Sequence, residues 1–255
     1  MKLKLALSLV VLGSVPAAAQ DPLKVAPQAY KLTFENEWVR VIEVNYGPKE
    51  KVAAHDHTAF NAAFVYLNDS GPVVFNHLDT DYTAVTRAPT KAGSFRVYYG
   101  LPESHEVINT SDLPSRFLRV EFKTVPKGSL TLKGKFPREE VPPGETVARV
   151  QLDHDQVRVS RLVVAPKSTL TITAAHTEPA LLIALVAADL GPSGGSKAVK
   201  LSSGQAEFLA TGASRDLRNA GSAPAEFLRF DFKTPPMSKD ALEKVRAQHA
   251  HPKAN

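Results

Sequence analysis

His55-Asp56-His57 sets two imidazoles two residues apart, and on a β-strand that period turns both side chains to one face. A third imidazole, His105, can be brought beside them by a sheet. Three neutral ring nitrogens on one side of a divalent ion leave positions open for water or substrate, which is what metal-assisted chemistry requires. Each ring also needs its other nitrogen held by a neighbour, and Asn61, Glu103, Glu106 and Asn109 are the candidates. Tyr98 and Tyr99 alternate faces, so one of them enters the site, and Tyr99 is the substrate-orienting candidate. No general acid or base is assigned, although Glu103 is the nearest acidic side chain.

The elements that must position these residues occur twice. Phe117-Leu118-Arg119-Val120-Glu121-Phe122-Lys123-Thr124 returns as Phe227-Leu228-Arg229-Phe230-Asp231-Phe232-Lys233-Thr234. Val39-Arg40-Val41 and Gly47-Pro48-Lys49 return as Val157-Arg158-Val159 and Ala165-Pro166-Lys167. A repeat of this length is a duplicated domain. Trp38 to Val44 is rich in β-branched residues with partial alternation, and Asn68-Asp69-Ser70-Gly71-Pro72 punctuates two further strands. Many short strands with turn residues between them predict barrels or sandwiches.

Aligning the copies through Lys49 and Lys167 puts Thr173 and Ala175 where the first copy has His55 and His57, and aligning them through the repeated octapeptide puts Arg215 at the place of His105. On that alignment Thr171, Thr173 and Ala175 line the second interior, and His176 faces the other way. The Leu, Ile, Val and Ala content of that copy predicts a filled barrel. His77 and His154 stand beside acidic residues in expected loops, and His249-Ala250-His251 lies on a fraying tail.

Composition narrows the function classes. There is no cysteine, hence no disulfide and no thiolate ligand or nucleophile. The formal net charge is only +5 and no basic run carries interleaved aromatics, so nucleic acid is not expected as a partner. No Gly-rich phosphate loop or Gly-x-Ser-x-Gly elbow is present. Residues 1–19 read as a signal peptide: Lys2 and Lys4, an apolar run from Leu5 to Val15, then Ala17-Ala18-Ala19. Export, most simply to a periplasm, is therefore expected, with no membrane span in the mature chain. The expected divisions are a first barrel at 25–124, a linker at 125–145 rich in proline and glycine, a second barrel at 146–234, and a helix and tail at 235–255. Ser238 is the expected cap of a helix running from about Lys239 to His249.

The histidines within this β pattern resemble the cupin superfamily. Its first motif runs glycine, His-x-His, glutamate, glycine; its second has Pro-x-Gly, histidine and asparagine. This chain offers Pro48-Lys49-Glu50, His55-Asp56-His57 and the turn at Gly71, then Gly93, Gly100, Pro102, His105 and Asn109. It departs from the pattern where Asn61 or Ala62 replaces the metal-binding glutamate, where Lys49 stands near the usual glycine, and where Gly100 and Pro102 exchange the usual order. Some cupin dioxygenases have three histidines without the carboxylate. The resemblance implies an all-β fold of two tandem jelly-roll (cupin) barrels with a short C-terminal helix. It implies one divalent metal ion (Fe, Mn, Zn or Ni) on His55, His57 and His105, and a dioxygenase or isomerase acting on a small organic acid, diketone or sugar. A non-catalytic ligand-binding or sensing module and a structural scaffold are the alternatives. The partner expected is a small molecule, with the barrels paired inside a monomer or in a homodimer.

Overall fold

A computed structural model describes residues 21–78, 84–190 and 199–248. The expected signal peptide and the tail histidines His249 and His251 lie outside the described residues. The first copy opens with a one-turn helix, α1 (Pro22–Val25), which the sequence did not announce and which Asp21 caps through the amide of Leu23. There follow β1 (Tyr30–Glu35), β2 (Val39–Tyr46), β3 (Lys51–His57), β4 (Ala62–Tyr66), β5 (Val73–His77), β6 (Val85–Arg87), β7 (Phe95–Tyr98), β8 (Glu103–Asn109), β9 (Ser115–Phe122) and β10 (Lys133–Phe136). They form a six-stranded sheet, β1-β2-β9-β4-β7-β10, and a four-stranded sheet, β3-β8-β5-β6. β10 is a correction, because it falls inside the proline- and glycine-rich segment expected to be an irregular linker. There it pairs with β7, Phe136 opposite Phe95, and lays its ring on Phe95 at 4.6 Å between centroids.

The second copy comprises β11 (Val147–Asp153), β12 (Val157–Val164), β13 (Thr169–Thr173), β14 (Ala180–Ala184), β15 (Ala188–Leu190), β16 (Val199–Leu201), β17 (Ala206–Leu209), β18 (Ser214–Arg218) and β19 (Ala225–Phe232). Its large sheet runs β11-β12-β19-β14-β17, with β13-β18 and β15-β16 as two-stranded companions. Helix α2 (Lys239–Ala247) closes the described chain, with Ser238 accepting from the amide of Ala241.

The copies repeat down to single residues. Lys49 and Lys167 are the two non-glycine residues with positive φ among the described ones, 56° and 60°, at the same turn of each barrel. The first strand of each copy is bulged at the same place, between Leu32 and Phe34 and between Val150 and Leu152. One bulge is not shared. Between Val52 and His55 the ladder of β3 with β8 shifts by a residue, whereas β13 pairs with β18 without interruption.

Alternation on the two central strands builds two kinds of core. Val39, Val41, Leu118, Val120 and Phe122 point outward from the first barrel and meet Val157, Val159, Leu228, Phe230 and Phe232 of the second in one buried cluster. Each such side chain contributes about 1.5–3 kcal/mol relative to exposure, so the two large sheets are held face to face. At this interface Arg161 pairs with Glu226, which also accepts from Arg138 at 2.6 Å, and Arg161 donates to the Gly93 carbonyl at 2.6 Å. The opposite faces line two separate interiors: Tyr30, Ile42, Tyr46, Tyr66 and Phe117 in the first, Leu162, Leu182, Leu217 and Phe227 in the second.

Candidate metal centre

β3 and β8 bring the histidines together. His55 stands directly opposite His105, and His57 opposite Glu103. The three ring centroids form a near-equilateral triangle of 4.9, 4.8 and 5.0 Å, and one nitrogen from each lies within 4.8 Å of the others. All three are buried, at 0, 6 and 3% exposure for His55, His57 and His105. The unshared bulge decides which residues face in. Ala53 and Ala54 together occupy the space of one residue, so His55 and His57 fall on the face that Val52 begins. A regular strand would have turned them outward.

The same bulge holds His55. Its Nδ1 lies 2.7 Å from the carbonyl of Ala53, so Nδ1 carries the proton and donates. Nε2 then accepts from the hydroxyl of Tyr30 at 2.8 Å, and Tyr46 completes the chain with its own hydroxyl 2.7 Å from that of Tyr30. Tyr30 reaches the site from β1, also packing edge-on against the His55 ring at 4.9 Å. No motif marked it in the sequence. Burial raises Tyr30 well above the ordinary phenol range and pushes Tyr46 up to about 12, so both hydroxyls stay neutral donors.

Electrostatics keep the imidazoles neutral. Burial lowers His57 and His105 well below the usual histidine value and lowers His55 as well. The charge of Arg119 adds to this at all three, and neighbouring rings further disfavour protonation of His57 and His105. Arg119 is fixed by Glu121 at 2.8 Å, and Arg40 reaches the same carboxylate at 3.5 Å. The second copy keeps this arrangement as Arg229 on Asp231 at 2.8 Å, so the pair belongs to the barrel as much as to the histidines. Its repetition in the duplicated octapeptide was legible beforehand.

Several candidates stand elsewhere. Asn61 is a correction: it bonds Gln156 at 2.7 Å and Ser129 at 3.1 Å and accepts from the amide of Gly100 at 2.8 Å, joining the copies rather than supporting a ring. Gly100 is required there, because a Cβ would come within 2.2 Å of the Ala59 carbonyl. Asn109 is a second correction, since its amide binds the carbonyls of Gly47 and Leu113 and pins a turn. Glu106 faces outward to Lys51 at 3.1 Å. Tyr99 lies past the end of β7 and stacks on Tyr98 at 4.5 Å, so the two do not alternate faces. Glu103 remains, its carboxylate 4.0 Å from Nδ1 of His105.

Two of the other histidines differ from expectation, His77 in its element and His154 in its burial. His77 is not in a loop: it ends β5 opposite His105, with ring centroids 5.5 Å apart. His154 is buried, bonding Thr131 at 3.0 Å and accepting from the amide of Gln156 at 3.2 Å. In the second copy, absence of the β3 bulge moves the alignment by one residue. Ile172 stands opposite Arg215 as His55 stands opposite His105, and Ile172 and Ala174 face inward while Thr171, Thr173 and Ala175 are exposed. Arg215 turns to Glu207 at 3.0 Å, and His176 lies exposed in a bend.

The donor set suits a metal ion. Both nitrogens of His105 are buried without a hydrogen-bond partner, a costly state that an ion would relieve at one of them. Neutral imidazoles are the form that ligates. His55 carries its proton on the nitrogen facing a backbone carbonyl, the usual support of a metal-bound histidine. Nitrogens bound to one ion at about 2.1 Å lie roughly 3–3.5 Å apart, so the rings would close by about 1 Å or somewhat more.

No family model matches the chain, and no curated protein matches it by sequence. Solved structures do. It is similar to a salicylate 1,2-dioxygenase from Pseudaminobacter salicylatoxidans over 77% of this chain and 71% of that one, at 12% identity and a TM-score of 0.50. It is similar to AerE from Microcystis aeruginosa over 80% and 97%, at 10% identity and a TM-score of 0.54. A cupin 2 conserved barrel domain protein from Leptotrichia buccalis also matches, over 80% and 88%, at 11% identity and a TM-score of 0.49. Identities this low speak for fold and not for substrate. Two jelly-roll units, packed back to back through their large sheets, give this chain the fold of a tandem cupin.

Proposed function

We propose that the first barrel binds one divalent metal ion through His55, His57 and His105, and that the chain is a metal-dependent enzyme acting on a small organic acid, with dioxygenation as the reaction class. The buried, partnerless nitrogens of His105 within the triad carry this reading. The three-histidine set without a carboxylate, and the likeness of fold to a salicylate dioxygenase, favour dioxygenation over isomerisation. An ion held there supplies Lewis acidity and, if redox-active, oxygen activation.

The chain's own groups have separate tasks. Ala53 fixes the tautomer and tilt of His55. Tyr30 is a neutral donor at the rim of the triad, able to turn from Nε2 of His55 toward a substrate oxygen. Arg119, held by Glu121, sets a positive charge beside the triad that disfavours protonation of all three imidazoles and so keeps them in the ligating form. The apolar wall around His105 includes Phe75, 5.2 Å away between ring centroids, which limits water. The segment 1–19 supports secretion, and fractionation of cells expressing the full chain tests that point.

Metal analysis tests the core of the reading, using protein ending at residue 248 so that His249 and His251 do not contribute. One equivalent of metal is expected, falling to near zero in His57→Ala. Metal content unchanged by that substitution defeats the site. Oxygen uptake over a panel of hydroxylated and simple organic acids then tests the reaction, and tight ligand binding with no turnover across the panel would favour a sensing module.

A further inference from the structure

The second barrel lacks the plug that closes the first. In the first copy, the chain ahead of β2 packs into the open seam between the two sheets: Ala26, Ala29 and Tyr30 belong to the interior cluster, with Leu23 and Val25 against it. The corresponding cluster of the second copy takes no buried residue from the described chain ahead of Leu162. The ladders identify the substitution responsible. Tyr30 pairs with Val44 and Ala148 with Leu162, at matching places in the two copies. Where the first barrel has a tyrosine, the second has a methyl group.

A cavity of about 510 Å³ lies at that place. Its inner wall is apolar, made by Leu162, Leu170, Ile172 and Ala174, and Val150 stands at the lip, 58% exposed. Its polar end is the Arg229–Asp231 pair, with Ser160 beside it. Arg229 is immobilised there, donating through Nε to Asp231 at 2.8 Å and through a terminal nitrogen to the Thr173 carbonyl at 2.8 Å. Arg158, which also lines the space, is answered by Asp153 at 3.3 Å, and Glu178 adds a further carboxylate. The volume falls within the ~300–1,000 Å³ of small-molecule sites, and an apolar cleft with a few fixed polar groups is their usual form.

We propose that this cavity is a second ligand site, distinct from the histidine cluster, for an uncharged amphipathic molecule with an alkyl or aromatic body and a hydroxyl head. The head follows from the charges. A hydroxyl can accept from the Arg229 guanidinium and donate to the Asp231 carboxylate at once. A carboxylate would meet Asp231 and an ammonium would meet Arg229, each losing about what it gains. The body follows from the inner wall, where Leu162 and Ile172 are only 2% and 4% exposed yet border open space. The first copy supplies the precedent, since its seam is filled by a phenol on an apolar segment.

The test compares 1-octanol, octanoate and octylammonium by calorimetric titration of the full chain. The alcohol is expected to bind at least tenfold more tightly than either ion. Ala148→Tyr, which gives the second barrel the side chain that closes the first, should abolish the binding, and Ala148→Leu should weaken it. Residue 148 is on the surface strand β11, and melting temperatures of both variants near that of the wild type confirm folding. His57→Ala should leave the alcohol's affinity unchanged, which separates this site from the metal centre. Preference for either ion overturns the assigned chemistry, retention of binding in Ala148→Tyr overturns the location, and no binding by any probe overturns the site.

Discussion

Asn109 and Asn219 tie the same turn in the two copies: the amide of Asn109 donates to the carbonyls of Tyr46 at 3.3 Å and Leu113 at 2.8 Å, and to Gly47 at 2.8 Å, while that of Asn219 donates to the counterparts of the first two, Val164 at 2.9 Å and Ala223 at 2.8 Å. Both are buried, at 0 and 1% exposure. Since the second copy keeps the asparagine without the histidines, its role is to tie the barrel's end. Asn109→Ala and Asn219→Ala should therefore destabilise to a similar extent, by about 1–3 kcal/mol each for the carbonyls left unsatisfied. Urea denaturation measures this. Asn109→Ala should still take up its full equivalent of metal, and selective loss of metal would restore a direct role in the site.

Tyr30→Phe should raise metal affinity. The hydroxyl donates to Nε2 of His55, and that bond must break before the nitrogen can ligate. A hydrogen bond contributes about 1 kcal/mol net, so binding should tighten by roughly five- to tenfold in competition with a chromophoric chelator. Weaker binding would make the tyrosine oxygen a ligand in its own right.

Acid should destabilise the metal-free protein in a defined direction. The folded-state values of His57 and His105 lie well below that of an unfolded histidine, about 6.5. Under pH ~6.5 the unfolded chain binds protons that the folded one refuses, so this contribution is fully present above that pH and is lost on acidification. Each group steepens the fall by about 1.4 kcal/mol per pH unit while it remains neutral in the fold. Denaturation midpoints of chelator-treated protein from pH 7.5 to 5 should fall steeply, and less steeply in His105→Ala.

The inter-barrel ion pair offers a fourth test. Glu226→Ala leaves Arg161 buried without its partner and should cost about 3–5 kcal/mol, whereas Arg161→Met combined with Glu226→Leu should be close to neutral. Calorimetric melting of the two variants separates the cost of orphaning a charge from the worth of the pair.

The duplicated octapeptide and the alternation of its residues were enough to read two β-barrels, because period-two patterning carries face assignment directly. What the alignment of the copies lacked was the extra residue at Ala53–Ala54. A bulge leaves no mark in composition, and placing Thr173 beside His55 instead of Ile172 follows from counting through it. Tyr30 escaped notice for a different reason: it belongs to a strand whose neighbours in sequence carry no chemistry, and only the β1–β2 pairing swings it over His55. Asn61 and Asn109 were plausible by proximity, yet their amides find backbone and side-chain partners at the turns and the inter-barrel seam. The linker's prolines flank β10 without interrupting it, since its strand residues, Lys133 to Phe136, contain none.

The shared cluster behind the two large sheets has a consequence for how such a chain diverges. Both copies contribute to it, so a single unit set free would show water a wide apolar face and would have to find a twin. Joining the twins in one polypeptide keeps each permanently supplied with its mate, whatever the concentration. Selection then needs to preserve only the second unit's back, Val157, Val159, Phe230 and Phe232 among it, while its interior is free to differ from that of the first.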